Sequence, residues 1–201
     1  MTSQGNIVYR PSLTGQGERV HLASPDIDLS THINDVVNMI LFENLKDIVL
    51  VGHSYGGMVI TGVADRIPDR IAKLIYLDAF VPNDGESVFT ALPQNEGVRK
   101  MEKDGMIVPV WVKADQKPPK DVPQSVKTFS EAIVLKNAAA RNINAAYILT
   151  VDEGKKAEED NFAAFAERAK QRGWKVINMI ADHNPQWSKP EELVRLFIEN
   201  K

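Results

Sequence analysis

The chain has 201 residues, 43% of them hydrophobic and 25% charged, an ordinary globular composition that argues against disorder and supplies a core without help from disulfide or metal. Acidic residues outnumber basic ones 27 to 24, and the formal net charge of −3 excludes a nucleic-acid footprint by bulk charge. Cysteine is absent, which excludes disulfide scaffolds, thiol nucleophiles and thiolate metal sites, and the four histidines (His21, His32, His53, His183) are too scattered for a zinc site by spacing. No apolar run approaches the length of a membrane span, and Met1 to Asn6 shows no basic region followed by an apolar stretch. The expectation is a cytoplasmic protein with neither a membrane nor a nucleic-acid partner.

Short apolar runs alternate with amphipathic helical segments. Ile7-Val-Tyr9 reads as a strand, and Leu13 to Gly17 breaks it. Asp28 to Asn44 reads as a helix, with Leu29, Ile33, Val36, Val37, Ile40 and Leu41 on one face. Asp47 to Gly52 is a continuous apolar strand of the kind buried on both faces of a parallel sheet. A helix from about Tyr55 to Arg66 follows, stopped by Pro68, and Lys73 to Ala79 is the next strand. From 82 to 141 the pattern loosens. Pro82, Pro93, Pro109, Pro118, Pro119 and Pro123 interrupt it, yet Val88, Phe89, Met106, Val110, Trp111 and Phe129 leave enough apolar surface to pack. This stretch reads as a small cap within a single domain spanning 1–201. Order returns with the strand Ala146 to Val151, a helix from Phe162 to Arg172 ended by Gly173, and the strand Lys175 to Ile180. Ser188-Lys-Pro-Glu191 reads as a capping box opening a last helix that buries Leu193, Leu196 and Phe197. Strands separated by helices predict an α/β fold with a mainly parallel sheet of about five strands.

Gly52-His-Ser-Tyr-Gly56 matches G-x-S-x-G between an apolar strand and a helix, the setting of a nucleophile elbow. The sharp turn exposes the Ser54 hydroxyl at a helix N-terminus, where the dipole favours negative charge. Gly52 and Gly56 leave room for the turn and Gly57 extends it. A serine needs a base, and the base an orienting acid. His183 is the one histidine after Ser54, in a loop following a strand. Asp152, at the carboxyl end of the preceding strand, is the expected acid. Asp78, Glu153 and the adjacent Asp182 are its rivals. His53 reads as structural, its imidazole pointing away from the serine hydroxyl. The Tyr55 backbone N–H is the expected oxyanion donor.

Gly52-His-Ser-Tyr-Gly-Gly-Met-Val-Ile60 resembles the elbow of the α/β-hydrolase superfamily. Leu13 to Arg19, Ser24 to Asp28 and Tyr76 to Pro82 together resemble the bacterial esterases related to plant methylesterases and hydroxynitrile lyases. Leu149 to Gly154 is similar to that group's acid-bearing segment, and Ile180 to His183 to its histidine segment. The resemblance implies hydrolysis of a small-molecule ester through an acyl-enzyme, without metal or organic cofactor. It also implies a cap over an apolar pocket, to which Phe80, Phe89, Trp111 and Phe129 could contribute. Phe80 and Trp111 are the candidates to face substrate. Two features depart from the group. Its members begin with a strand ending in His-Gly whose loop supplies an oxyanion N–H, and no histidine here precedes a glycine. Its lyases carry lysine after the histidine, where this chain has Asn184, which disfavours lyase chemistry. A non-catalytic binder on the same fold is the alternative reading. Without the His-Gly strand, the strand at Ile7 to Tyr9 is expected to pair directly with Ile48 to Val51. That places Arg10 to Gly15 where Ser12, Leu13 or Thr14 could donate to the oxyanion, and a weak esterase is expected if none does.

Overall fold

The structure, a computed structural model, describes residues 1–2, 5–92 and 96–201; Pro93, one of the expected breaks, lies outside them. In chain order the helices are α1 (Leu29–Phe42), α2 (Gly56–Arg66), α3 (Val88–Ala91), α4 (Glu96–Arg99), α5 (Lys127–Ser130), α6 (Ala163–Gln171), α7 (Pro185–Ser188) and α8 (Pro190–Glu199). The strands are β1 (Ile48–Ser54), β2 (Ile71–Ala79), β3 (Glu102–Lys103), β4 (Met106–Ile107), β5 (Gln124–Ser125), β6 (Asn144–Val151) and β7 (Lys175–Ile180). The chain divides into two compact units, one of residues 1–9, 45–81 and 137–201, the other of residues 10–44 and 82–136.

The first unit is built on a four-stranded parallel sheet in the order β1-β2-β6-β7. Its central strands β2 and β6 are apolar on both faces and almost wholly buried, as parallel strands between helices must be. Ile75, Leu77, Ile148, Met179, Ala181 and Leu193 form a core cluster, with Leu196 and Phe197 of α8 packed against it. The opening of α8 differs from expectation. Lys189 occupies the N-cap without a side-chain cap bond, and the Ser188 hydroxyl donates instead to Asp182 Oδ1 at 2.9 Å. Pro190 still takes the first turn, where a missing N–H costs nothing.

The expected fifth strand does not form. Ile7 to Tyr9 has no ladder, and Ile7 is 84% exposed. Among the described residues β1 pairs only with β2 and is an edge. The reason is energetic. Three residues ahead of Pro11, which has no N–H, offer few ladder bonds against about 1–2 kcal/mol of backbone entropy per residue ordered. Leaving this edge unpaired also carries little burial penalty, because Val49 and Val51 are 37% and 38% exposed and water reaches it.

The second unit joins two distant segments. Asp28 caps α1 by accepting the Thr31 N–H at 2.8 Å, and α1 buries Leu29, Ile33, Val36, Val37 and Ile40, while Leu41 is exposed. At the start of α1, the Glu131 carboxylate accepts the Ser30 N–H (2.8 Å) and hydroxyl (2.6 Å). Strands β3, β4 and β5 form a small antiparallel sheet, and the Ser125 hydroxyl donates to the Pro25 carbonyl at 2.9 Å. Ser87 and Thr90 close a capping box on α3. The stretch expected as a cap from 82 to 141 is thus packed with 10–44, and residues 137–141 belong to the sheet unit.

Candidate active site

Strand β1 delivers Ser54 into a left-handed backbone conformation, φ +54°, immediately before α2. A non-glycine residue there carries about 1–3 kcal/mol of strain that the surroundings must hold. They hold it by close packing. A Cβ on Gly52 would meet the Gly56 carbonyl oxygen at 2.6 Å, and one on Gly57 would meet the Phe80 carbonyl oxygen at 2.0 Å. Gly56 faces open space, so positions 52 and 57, rather than 52 and 56, require glycine for room.

The neighbouring strand carries a bulge at the same level. His53 pairs with Leu77 and Ser54 with Ala79, which leaves Asp78 as the extra residue of β2, at φ +43°. Aspartate tolerates this region better than most residues. The buried Tyr147 phenol pins the bulge, accepting the Ala79 N–H at 3.0 Å and donating to the Ala79 carbonyl at 2.9 Å. Burial, with the Asp78 charge adding to it, pushes the Tyr147 hydroxyl well above the usual phenol range, so it stays protonated as a donor. The Thr150 N–H donates to Asp78 Oδ1 at 3.1 Å. The other carboxylate oxygen, Oδ2, accepts from His183 Nδ1 at 2.6 Å.

His183 follows β7 in the loop before α7. An ionised carboxylate only accepts, so this bond to an Asp78 carboxylate puts a proton on Nδ1, and in the neutral ring Nε2 is then the nitrogen with the lone pair. The His183 carbonyl accepts from His53 Nε2 at 2.6 Å, which sets the proton on that nitrogen of His53. The two rings lie 4.6 Å apart, and the Phe162 ring stacks on His183 at 5.1 Å with an interplanar angle of 12°. Phe162 is in turn fixed by Asp160, whose Oδ1 accepts its N–H at 2.8 Å. Burial raises the Asp160 carboxyl above its ordinary value, and the Asp78 charge pushes the same way while His183 pulls against it. Among the described residues no Ser54–His183 hydrogen bond is present. Such links are often long before substrate binds.

The expected acid, Asp152, does not reach His183. It is exposed beyond the end of β6 and pairs with Lys155 at 2.7 Å. The bulge turns the neighbouring strand's Asp78 to the histidine instead, so the carboxylate that meets His183 is Asp78 and not Asp152. Asp182 is occupied with the Asn184 N–H and the Ser188 hydroxyl. Phe80 is 7% exposed and packs on Phe162 and Phe165 at 5.4 and 5.0 Å. Trp111 is 58% exposed, its indole N–H donating to Asp121 at 2.6 Å. Phe89 and Phe129 stack on each other at 6.0 Å. Of the backbone donors considered between Ser12 and Thr14, the Thr14 N–H is taken by Asp35 at 2.6 Å. Tyr55 leads into α2 with helical dihedrals. His53, Tyr147, Asp160 and Phe162 escaped sequence reasoning as members of the site. Only the G-x-S-x-G spacing hinted at His53.

Among the described residues no group of three or more His, Asp or Glu side chains could hold a metal ion, and no helix is long and apolar enough to cross a membrane. The model of the alpha/beta hydrolase family matches residues 2–196. The carbendazim hydrolyzing esterase of Nocardioides sp. (strain SG-4G) is 36% identical over 211 residues, spanning 94% of this chain and 86% of that protein. Methylesterase 2 of Arabidopsis thaliana is 32% identical over 92 residues, 39% of this chain and 35% of the relative. The fold is shared with an extracellular alpha/beta-hydrolase from a Paenibacillus species, with a TM-score of 0.77 at 23% identity over 98% of this chain and 88% of that one. A parallel sheet with a strained serine at the end of β1, matched by the family model along nearly the whole chain, places this protein by descent as well as by shape: it belongs to the alpha/beta hydrolase family, as a relative of bacterial esterases and plant methylesterases.

Proposed function

We propose that the chain is a serine hydrolase that cleaves a small-molecule carboxylic ester through an acyl-enzyme. The observation that carries the reading is the 2.6 Å Asp78–His183 hydrogen bond, one strand away from a serine held in elbow geometry. The relative named as a carbendazim hydrolyzing esterase supports the substrate class. Ser54 Oγ attacks the ester carbonyl carbon as His183 Nε2 takes its proton. Asp78 keeps the imidazole in the tautomer that can accept this proton and stabilises the imidazolium that results. The Tyr55 N–H, at the N-terminal end of α2, donates to the developing oxyanion. The carbon–oxygen bond to the alcohol breaks, and the alcohol leaves with the His183 proton. A water deprotonated by His183 then attacks the acyl carbon and releases the acid and Ser54. Because Asp35 holds the Thr14 N–H, that amide does not serve as a second oxyanion donor. If the Ser12 and Leu13 N–H groups do not serve either, the enzyme is one donor short, which lowers kcat by about 10²–10³ and makes it a weak esterase.

The test is pre-steady-state release of p-nitrophenolate from p-nitrophenyl acetate. A burst equal to the enzyme concentration is expected, and Ser54→Ala abolishes it. An undiminished burst in Ser54→Ala means another nucleophile. No burst and no turnover in the unaltered chain favours a binder on the hydrolase fold.

A further inference from the structure

We infer that His53 is a positioning residue for His183, tying the main chain of the base to the residue next to the nucleophile; this rests on the esterase reading above. His183 stands in a four-residue connection, 181–184, between β7 and α7, and its side chain is 39% exposed. Its ring is held in plane by one hydrogen bond, from Nδ1 to Asp78. A single bond at one nitrogen leaves the ring free to swing about that bond, and Nε2 swings with it. Two further contacts restrain it. The Phe162 ring lies nearly parallel to it, which limits tilting. His53 does more, because its Nε2–H grips the His183 carbonyl at 2.6 Å while its ring sits 4.6 Å from the His183 ring.

The placement of His53 gives this bond its value. Residues 53 and 183 are 130 positions apart, and His53 is covalently bonded to Ser54. The base is therefore referenced to the nucleophile through one residue, while its link to Asp78 runs through another strand. Misplacing a base by about 1 Å costs on the order of 10²-fold in rate without necessarily weakening binding. His53 touches no reacting atom in this scheme, so its loss is expected in kcat and not in KM.

The test uses p-nitrophenyl acetate kinetics on the whole chain. His53→Phe keeps an aromatic ring and removes the donor. His53→Gln places an amide N–H near the position of the imidazole Nε2, and His53→Asn places it too short. The expected result is a kcat about 10- to 100-fold lower in His53→Phe with KM within about twofold, and recovery of most of that loss in His53→Gln but not in His53→Asn. Should His53→Phe not fold, the Gln and Asn pair decides alone. Equal kcat in those two variants, or an unchanged kcat in a folded His53→Phe, overturns the inference. So does a loss that lies in KM. Failure of the esterase reading itself looks different, since either the unaltered chain then shows no burst or Ser54→Ala keeps it.

Discussion

Replacing Asp78 by asparagine separates the carboxylate proposed to orient His183 from the one expected from the sequence. Asp78 accepts two hydrogen bonds, from the Thr150 N–H at 3.1 Å and from His183 Nδ1 at 2.6 Å. Asparagine has one acceptor oxygen. If that oxygen stays with Thr150, its NH₂ faces His183 Nδ1, which must then give up its proton and accept. The proton moves to Nε2, and the base can no longer take the serine proton. Turning the amide around sets its NH₂ against the buried Thr150 N–H, two donors facing each other, so the first arrangement wins. A wrong tautomer of this kind lowers kcat by about 10⁴, which corresponds to about 5 kcal/mol of transition-state stabilisation. Asp152→Asn removes only an exposed contact with Lys155 and leaves turnover within about twofold. Both variants are assayed for burst amplitude and kcat on p-nitrophenyl acetate at pH 8, alongside thermal melting to confirm folding. A loss of about 10⁴ in Asp152→Asn with near-normal turnover in Asp78→Asn refutes this assignment.

Tyr147→Phe leaves the Ala79 N–H and carbonyl without the phenol that satisfies them, at about 1–3 kcal/mol for each group left unpaired. Its urea midpoint should fall, and kcat with it, as Asp78 loosens; an unchanged midpoint would show that the bulge does not depend on the phenol. Gly57→Ala drives a methyl to 2.0 Å from the Phe80 carbonyl oxygen and is expected to cost at least about 3 kcal/mol, whereas Gly56→Ala meets open space and keeps the native melting temperature. Equal melting temperatures for the two would contradict the packing of the elbow. His32 is buried with its Nε2–H on the Thr14 carbonyl at 3.0 Å, and burial holds its pKa below the ordinary imidazole value of about 6.5. The unfolded chain therefore takes up this proton first as the pH falls. The contribution of neutral His32 is complete above about pH 6.5 and is lost as the pH falls through the lower folded value. Urea unfolding at pH 7.5 and 5.5 should show that decline, and His32→Gln, a neutral donor at the same reach, should flatten it; an equal decline in both would assign it to other groups.

Where the determinants are local, sequence and structure agree. The short, mostly apolar run after Gly173 places β7 at Lys175 to Ile180, and the carboxylate of Asp28 ahead of a 3.6-residue apolar stripe marks the start of α1. The elbow is local as well, because a strand, a tight turn and a helix N-terminus are all written between Ile48 and Arg66. Even so, which glycines the turn needs was settled by Phe80, a residue of the next strand's exit.

The carboxylate that meets His183 could not be read in the same way. Asp78 and Asp152 both end apolar strands, and period-two patterning does not distinguish them. What separates them is one extra residue in β2, pinned by a tyrosine 69 positions further on. A bulge changes which way a side chain points without changing the composition around it. Likewise Ile7 to Tyr9 has the β-branched and aromatic residues of a strand, but a strand exists only where a partner edge offers more than its ordering costs. His53 shows the same limit at the site. Its chemistry is visible in the chain, whereas its acceptor is a backbone carbonyl 130 residues away, and backbone carbonyls carry no sequence signal. Residue type and periodicity thus determined most of the elements and the elbow that carries Ser54. The pairing of distant backbone groups, which depends on register rather than on residue identity, decided which carboxylate meets His183 and which residues hold its ring and main chain.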